Sequence, residues 1–394
     1  MRQTSLVIEP NVGGHQAEYL LWIAKAWRDR DPVGRRLVIH APAAVLHQRP
    51  ELAELAAGSK MTLDPAPASP AAGSPLSNAL ALGRWDTLTE ATERHGADRV
   101  LIQSLDHVLS PLATRRPLPA RLGGILFRPT LHYPDLGSPP DSLAGWARHM
   151  AKTALTRAAL RHPSLSDVFS LDPSAVPALA RSARGQVHAL PDPVSPEPPD
   201  QPPATVRERY GVQGGRALVV MAGTLDDRKG VHLLLRALAT LDAPAVAQTA
   251  VLLAGRVAVD DRPAFERDLA AARAGGLPVL LHDDYLSPGA LAALVAAADL
   301  LVLPYDRHVG SSGFLVRAAA AGTPVLTQRY GWMGHAVRTH GLGWTASPAH
   351  PETFAEALVG ALEAAPPSAE AGASFVATHT VDAFAAPLLS FLAP

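Results

Sequence analysis

Residues 300–326 read LLVLPYDRHVGSSGFLVRAAAAGTPVL. An apolar run (300–303) leads into a loop, Gly310-Ser311-Ser312-Gly313. A small-residue stretch (314–321) follows, and a second apolar run begins after Gly322-Thr323-Pro324. A strand, a glycine loop and a helix in that order make an anion site. The first N–H groups of a helix have no intrahelical partner, the helix dipole adds partial positive charge, and glycine lets a phosphate approach the backbone.

The same alternation extends along the whole chain. Apolar runs at 5–8, 37–40, 99–102, 124–127, 167–171 and 187–190 predict one set of strands. Runs at 218–221, 251–254, 279–281, 300–303 and 324–327 predict a second. Helical periodicity fills the gaps, as in 16–28, where Tyr19, Trp22, Ile23, Ala26 and Trp27 share a face. Strands this apolar, each followed by a helix, belong to parallel sheets covered on both sides. The two sets are divided by the proline-dense stretch from Pro191 to Pro203, which fits neither a central strand nor a helix interior and makes a semi-rigid connector. The expected organisation is a first domain at 1–190, a linker at 191–204 and a second domain at 205–367. A helical tail at 368–394 is expected to pack back on the first domain, and 65–75 reads as a surface loop.

Composition narrows the function classes. The 394 residues suit two or three domains of about 100–200 residues. Hydrophobic content of 47% against 18% charged residues is that of an ordinary globular chain. A net charge of −1 and 5% aromatic residues give no footprint for nucleic acid. Without cysteine there is no disulfide, thiolate zinc site or cysteine nucleophile. The N-terminal apolar run is too short for a signal peptide, and no run reaches the ~18 apolar residues of a membrane span. A cytoplasmic location, with contact at the inner membrane surface, is the expectation.

The chemistry is carried by strand ends. Gly223-Thr224-Leu225-Asp226-Asp227-Arg228-Lys229-Gly230 follows the first strand of the second half and opens an amphipathic helix. Adjacent arginine and lysine at the carboxyl end of a parallel strand suit a diphosphate, as fork and point charge; the bland alternative is a solvated pair in a loop. With its order and spacing, this half resembles the donor domain of retaining GT-B glycosyltransferases, most closely glycosyltransferase family 4. The landmarks are Gly223-Thr224-Leu225 to Lys229-Gly230, Val251 to Gly255, Tyr285-Leu286-Ser287, Ala298-Asp299 with Pro304-Tyr305, and Gly322-Thr323-Pro324-Val325. In the first half, Glu9 to His15, with Gly13-Gly14, resembles the family's N-terminal glycine loop. His132, after the apolar run 125–127, resembles a histidine that contacts the transferred sugar; a structural histidine is the alternative. Asp106-His107, beyond 99–102, either faces an acceptor or is a plain loop pair.

The departures are as informative. The family's paired glutamates before Gly-Thr-Pro-Val fall here on Val309 and Arg317, and its Gly-Arg-Leu arginine on Thr224. An arginine cannot accept the ribose hydrogen bonds that a glutamate accepts. Asp29-Arg30-Asp31 and His282-Asp283-Asp284 read as solvated helix-end and strand-end groups rather than metal ligands.

The resemblance implies an α/β GT-B fold with two Rossmann-like domains facing across a cleft. It implies a retaining hexosyltransferase of polysaccharide biosynthesis that needs neither metal nor cofactor, moving sugar from a nucleotide-sugar donor to a glycan or lipid-linked acceptor. Lys229, Arg228 and His132 are then catalytic, and Gly13, Gly14, Thr224, Tyr285, Leu286, Gly310, Ser311, Ser312, Gly313 and Arg317 hold the donor. A GT-B protein without catalysis, which binds a glycan or nucleotide or scaffolds a partner enzyme, is the alternative the missing glutamates raise. A sugar-nucleotide epimerase or a phosphorylase on the same architecture is a further one.

Overall fold

The computed structural model describes residues 3–11, 16–66, 78–132, 142–193, 197–212 and 215–394. The chain divides into two compact units, one running to Asp192 and adding Thr380–Pro394, the other Pro193–His379.

The first unit holds β1 (Gln3–Ile8), β2 (Arg35–Pro42), β3 (Met61–Ala66), β4 (Arg99–Ile102), β5 (Arg121–Leu126), β6 (Leu165–Ser170) and β7 (Gln186–Ala189). They form one sheet in the order β3-β2-β1-β4-β5-β6-β7, every neighbouring pair parallel. Successive side chains of a strand point to opposite faces, and here both faces are covered. Val7 of β1 lies in a core with Tyr19, Ile23 and Trp27 of the helix Gln16–Arg30. Its neighbours Leu6 and Ile8 lie in another core with Trp85 and Leu88. This is why the strand reads as an uninterrupted apolar run rather than an alternation.

The second unit repeats the plan with β8 (Ala217–Ala222), β9 (Thr249–Ala254), β10 (Val279–His282), β11 (Leu300–Leu303), β12 (Val325–Gln328) and β13 (Gly343–Ala346). The order is β10-β9-β8-β11-β12-β13, again parallel throughout. Leu218, Val220 and Ala222 face one core, Val219 and Met221 the other. In both sheets the strand order reverses direction once, beside β1 and β4 in the first and beside β8 and β11 in the second. At such a reversal the loops leave the carboxyl ends toward opposite faces and open a crevice.

Two strands fall outside the sequence expectation. β3 ends through Asp64 and Pro65, so the loop expected from residue 65 begins as an edge strand, where proline is tolerated because no ladder donor is needed on its outer side; residues 67–75 lie outside the described residues. β13 is only Gly-Trp-Thr-Ala at the other sheet's edge, with Gly343 at φ +146° against the Val325 backbone.

The tail also differs from expectation. It forms two helices, Ala369–Ala377 and Val381–Leu392, and only the second belongs to the first unit. Phe375 of the former packs in the second unit's core, whereas Phe384, Leu388, Phe391 and Leu392 of the latter pack beside Tyr19 and Trp22. By length and composition Ala369–Leu392 could cross a membrane. That corrects the expectation that no segment is apolar enough. The break after Ala377 and the burial of its large side chains make it core helix instead.

Candidate functional site

The reversal in the second sheet brings the two sequence-predicted loops together. After β8 the chain turns at Gly223 (φ +90°), where a Cβ would run into Lys229 Nζ and the Phe314 ring. After β11 it passes Pro304, whose carbonyl would meet a Cβ on Gly230. The loops are tied by Asp306 N–H donating to Arg228 O at 2.9 Å. Glycine at 223 and 230 is thus required both by the left-handed backbone and by the close approach.

Lys229 is 7% exposed, so the alternative of a solvated pair in a loop does not hold for it. Asp226 caps the short turn Asp227–Lys229 by accepting from Lys229 N–H at 2.8 Å. That turn folds the ammonium inward, 4.8 Å from the centre of the Phe314 ring, with the Ala222 carbonyl 3.3 Å away. An ammonium has three N–H bonds, so one protein acceptor leaves two for a ligand. Burial lowers its pKa from 10.5 to about 8; Asp226 works against this and Arg228 adds to it. Arg228 is half exposed, lies 5.6 Å over the Tyr305 ring and reaches Asp226 at 3.6 Å.

Tyr305 is buried, and its hydroxyl lies 3.1 Å from Ser312 Oγ. Ser312 is the N-cap of the helix Gly313–Ala321, accepting from Phe314 N–H at 3.4 Å. The Ser311 carbonyl meets His308 Nε2 at 3.0 Å. Hence Arg228, Lys229, Ser312 and the helix start come together at the reversal, held by contacts with the Phe314 and Tyr305 rings. The sequence reading named neither as a site residue, Tyr305 entering only as a strand-end landmark, because their value lies in contacts across the reversal that spacing does not reveal.

The other predicted residues are placed as follows. Thr224 is exposed at the carboxyl end of β8. Tyr285 is 72% exposed on the loop after β10, while Leu286 packs against the core. Arg317 is half-buried in the helix Gly313–Ala321. Gly13 and Gly14 lie outside the described residues. His132 ends a short turn, Thr130–His132, and its side chain is likewise outside them.

The first sheet's reversal holds a buried polar group that the sequence named only as part of a loop. Glu9 is fully buried and accepts from Asn11 N–H, Asn11 Nδ2 and Ser104 Oγ, each at 2.7 Å. Burial raises its pKa to about 7, against the lowering effect of those bonds and of Arg84. Nearby, Arg84 Nε, Gln103 Oε1 and His107 Nδ1 are buried with no hydrogen-bond partner among the described residues. Asp106 has a structural duty, accepting from Phe127 N–H at 2.8 Å and Arg128 N–H at 3.0 Å at the end of β5.

Comparison with known proteins supports the fold. Residues 216–364 match the family model described as Glycosyl transferases group 1. Among solved structures, WaaG, a glycosyltransferase involved in lipopolysaccharide biosynthesis, aligns with a TM-score of 0.64 at 18% identity over 98% of both chains. HepE of Anabaena, solved with UDP, gives 0.66 at 16% over 100% of this chain and 99% of that one. An alpha,alpha-trehalose-phosphate synthase of Burkholderia vietnamiensis gives 0.67 at 13% over 100% and 97%. At such identities the likeness is one of fold, and the fold is GT-B. No curated protein sequence matches the chain.

Proposed function

We propose that this chain, whose residues 216–364 match the model of group 1 glycosyl transferases, is a glycosyltransferase that moves a hexose from a nucleoside diphosphate to an acceptor hydroxyl with retention at the sugar carbon. The observation that carries the reading is the convergence of Lys229, Arg228 and the Ser312 helix start at the reversal of the second sheet. In transfer, the bond between the anomeric carbon and the diphosphate oxygen breaks, and a bond from that carbon to the acceptor oxygen forms. The acceptor's proton passes to the departing phosphate oxygen. Negative charge grows on the diphosphate as it leaves. Two cations and the N–H groups of a helix start, fixed before the reaction, stabilise that growth. Charge supplied this way leaves no step that needs a metal.

Tyr285, exposed on the loop that follows β10, is assigned to stack on the base, and His132 is assigned to the sugar. UDP complexes of HepE support uridine as the first base to test. Titration of the protein with UDP, its hexose conjugates and the other nucleoside diphosphates, followed calorimetrically, tests the reading. Micromolar binding that Lys229→Ala weakens supports it, and no nucleotide binding at saturation overturns it. The glutamate positions held by Val309 and Arg317 favour a second reading, a nucleotide- or glycan-binding GT-B protein without turnover. Binding of the nucleotide-sugar with no slow hydrolysis and no transfer would select it.

The acceptor is assigned to a lipid-linked glycan at a membrane surface. Leu143, Trp146 and Met150 are 90%, 44% and 54% exposed on the helix Leu143–Ala159, at spacings that share a face. Residues 142–166 contain Arg148, Lys152, Arg157 and Arg161 and no acidic residue. An apolar stripe flanked by cations suits an anionic bilayer. Co-sedimentation with phosphatidylglycerol vesicles, lost in Leu143→Gln/Trp146→Gln, is the expected result; equal retention of that variant removes the assignment.

A further inference from the structure

The amino ends of the first sheet carry a feature that sugar transfer does not use. Arg99 opens β4, Arg121 opens β5, and Arg184 lies just before β7. Together with Ser166, Asp167 and Ser390 they line a cavity of about 750 Å³, within the range of small-molecule sites. Asp167 is the one acidic side chain on that wall, and it is already engaged by His188 Nε2 at 2.8 Å and Ser166 Oγ at 2.7 Å. Arg99 is held rigidly, donating to the Phe391 carbonyl at 2.8 Å with its guanidinium 5.5 Å over the Phe391 ring. Neither Arg121 nor Arg184 has a side-chain hydrogen bond or ion pair among the described residues. Burial lowers the Arg99 pKa, and Arg121 and Arg35 lower it further, with Asp98 and Asp167 only partly compensating. Three guanidiniums therefore share this wall with the single carboxylate side chain of Asp167.

We propose that this cavity is a second anion site, binding a phosphate-bearing small molecule through the Arg99, Arg121 and Arg184 guanidiniums. Substrates of parallel sheets bind outside the carboxyl ends. The cavity lies at the opposite ends, about 13–20 Å away for strands of this length at ~3.3 Å per residue. An occupant there lies at the end of its own sheet opposite the carboxyl-end loops. It touches the helix Val381–Leu392, which covers the same sheet and packs on the helix Gln16–Arg30. The phosphate could belong to a soluble ester or to a lipid headgroup.

The test is calorimetric titration of the full chain with inorganic pyrophosphate at low ionic strength, in a Lys229→Ala background that removes the donor site's grip. One site is expected to remain. Arg121→Gln/Arg184→Gln added to that background is expected to weaken it at least ~10-fold, since each charge-assisted hydrogen bond contributes about 1.5–3 kcal/mol. Both side chains are exposed, and an unchanged thermal midpoint checks that the fold is intact. Arg28→Gln/Arg30→Gln, an exposed pair elsewhere on the unit, serves as the charge control. Binding that survives Arg121→Gln/Arg184→Gln, or that falls equally with the control pair, overturns the site. If glucose 6-phosphate binds in the same background, the ligand is a soluble ester. If phosphatidylglycerol vesicles bind the Lys229→Ala protein, and Arg121→Gln/Arg184→Gln releases them while Arg28→Gln/Arg30→Gln does not, it is a headgroup. Failure of both overturns the proposal. Nucleotide binding unaffected by Lys229→Ala would remove the donor assignment and leave this site standing.

Discussion

Lys229→Met replaces a buried ammonium by an apolar chain of similar length, and stability and function should move in opposite directions. The Nζ atom has one protein acceptor and a ring face, and no carboxylate is in contact with it. The fall of its pKa from 10.5 to about 8 corresponds to about 3 kcal/mol of unfavourable burial of the charge. Between those two pH values the unfolded chain still holds a proton that the folded chain has released, so stability rises with pH across the window. Below pH 8 the full cost is present, and above about pH 10.5 it is gone. Lys229→Met should therefore be more stable than the parent at pH 7, by up to about 3 kcal/mol, with the difference shrinking as pH rises through 8 to 10.5. Urea unfolding of both proteins at pH 7, 9 and 10.5 reads this directly. In the same variant, turnover should fall ~10²–10³-fold, the usual loss when one fixed donor to developing charge is removed. A diphosphate docked at Nζ should also restore the lysine's pKa, so binding at pH 8–9 should take up close to half a proton or more. Calorimetry in buffers of different ionisation enthalpy measures that uptake. If Lys229→Met is less stable than the parent at pH 7, or binding takes up no proton, the ammonium is not the strained group described here.

Glu9→Gln should behave in the mirror sense for an acid whose folded pKa is raised to about 7. Its burial costs nothing below about pH 4.5 and most above pH 7, so the variant should gain stability over the parent in urea unfolding at pH 8 and lose that gain by pH 4.5. Asp106→Ala strands two backbone N–H groups at the end of β5 and should cost about 1–3 kcal/mol; a loss of activity without a loss of stability would instead make it an acceptor residue. Ser312→Ala should cost about 1 kcal/mol as a lost cap and also weaken nucleoside diphosphate binding, and a crystal soak should show phosphate oxygens at residues 310–313. Nucleotide density elsewhere would count against the loop. A ribonucleoside diphosphate and its 2′-deoxy counterpart should bind within a few-fold of each other, because the positions of the ribose-gripping glutamates hold Val309 and Arg317; a preference above ~30-fold for the ribose form would show that another acceptor has taken over.

Much of the fold was legible because both faces of each sheet are covered, which turns the central strands into continuous apolar runs. β1, β4, β8 and β11 carry that signal in full. The strands that escaped are edges. β3 is exposed at Thr62 and Pro65 and only half-buried at Leu63 and Asp64, and β13 is four residues with a glycine, so neither has the burial that writes a run into sequence. The tail was legible as helix but not as two helices in different units, because its division depends on which core receives Phe375 and which Phe384. At the site, Arg228, Lys229 and the 310–313 loop could be named because chemistry at strand ends follows local order. The burial of Lys229 could not, since it is produced by Phe314, a residue brought in from across the sheet reversal. Glu9 was hidden for the same reason: Ser104 and Arg84, which define its surroundings, are remote in sequence.

The loss of both glutamates raises the question of what holds the 304–312 loop in shape, and here the second unit has its own answer. Tyr330, just after β12, donates its hydroxyl to the Tyr305 carbonyl at 3.1 Å and accepts from Arg307 N–H at 2.7 Å. Gln328 Nε2 donates to the His308 carbonyl at 3.3 Å, and the Val309 carbonyl accepts from Trp332 N–H at 2.9 Å. Gly331, at φ +69°, packs so closely on the Val309 backbone that a Cβ would stand 2.8 Å from its Cα. The loop is thus strapped from behind by the chain that leaves β12, and none of these bonds depends on a carboxylate at 309 or 317. Preorganised donors at a phosphate need their backbone fixed before the ligand arrives, and this bracing supplies that condition. What the glutamates' absence removes is a set of acceptors for hydroxyl groups, not the anion-binding frame. On the function proposed above, grip on the diphosphate would rest on Lys229, Arg228 and the helix start and would be separable from grip on the ribose, because the family's two glutamate positions hold Val309 and Arg317 here.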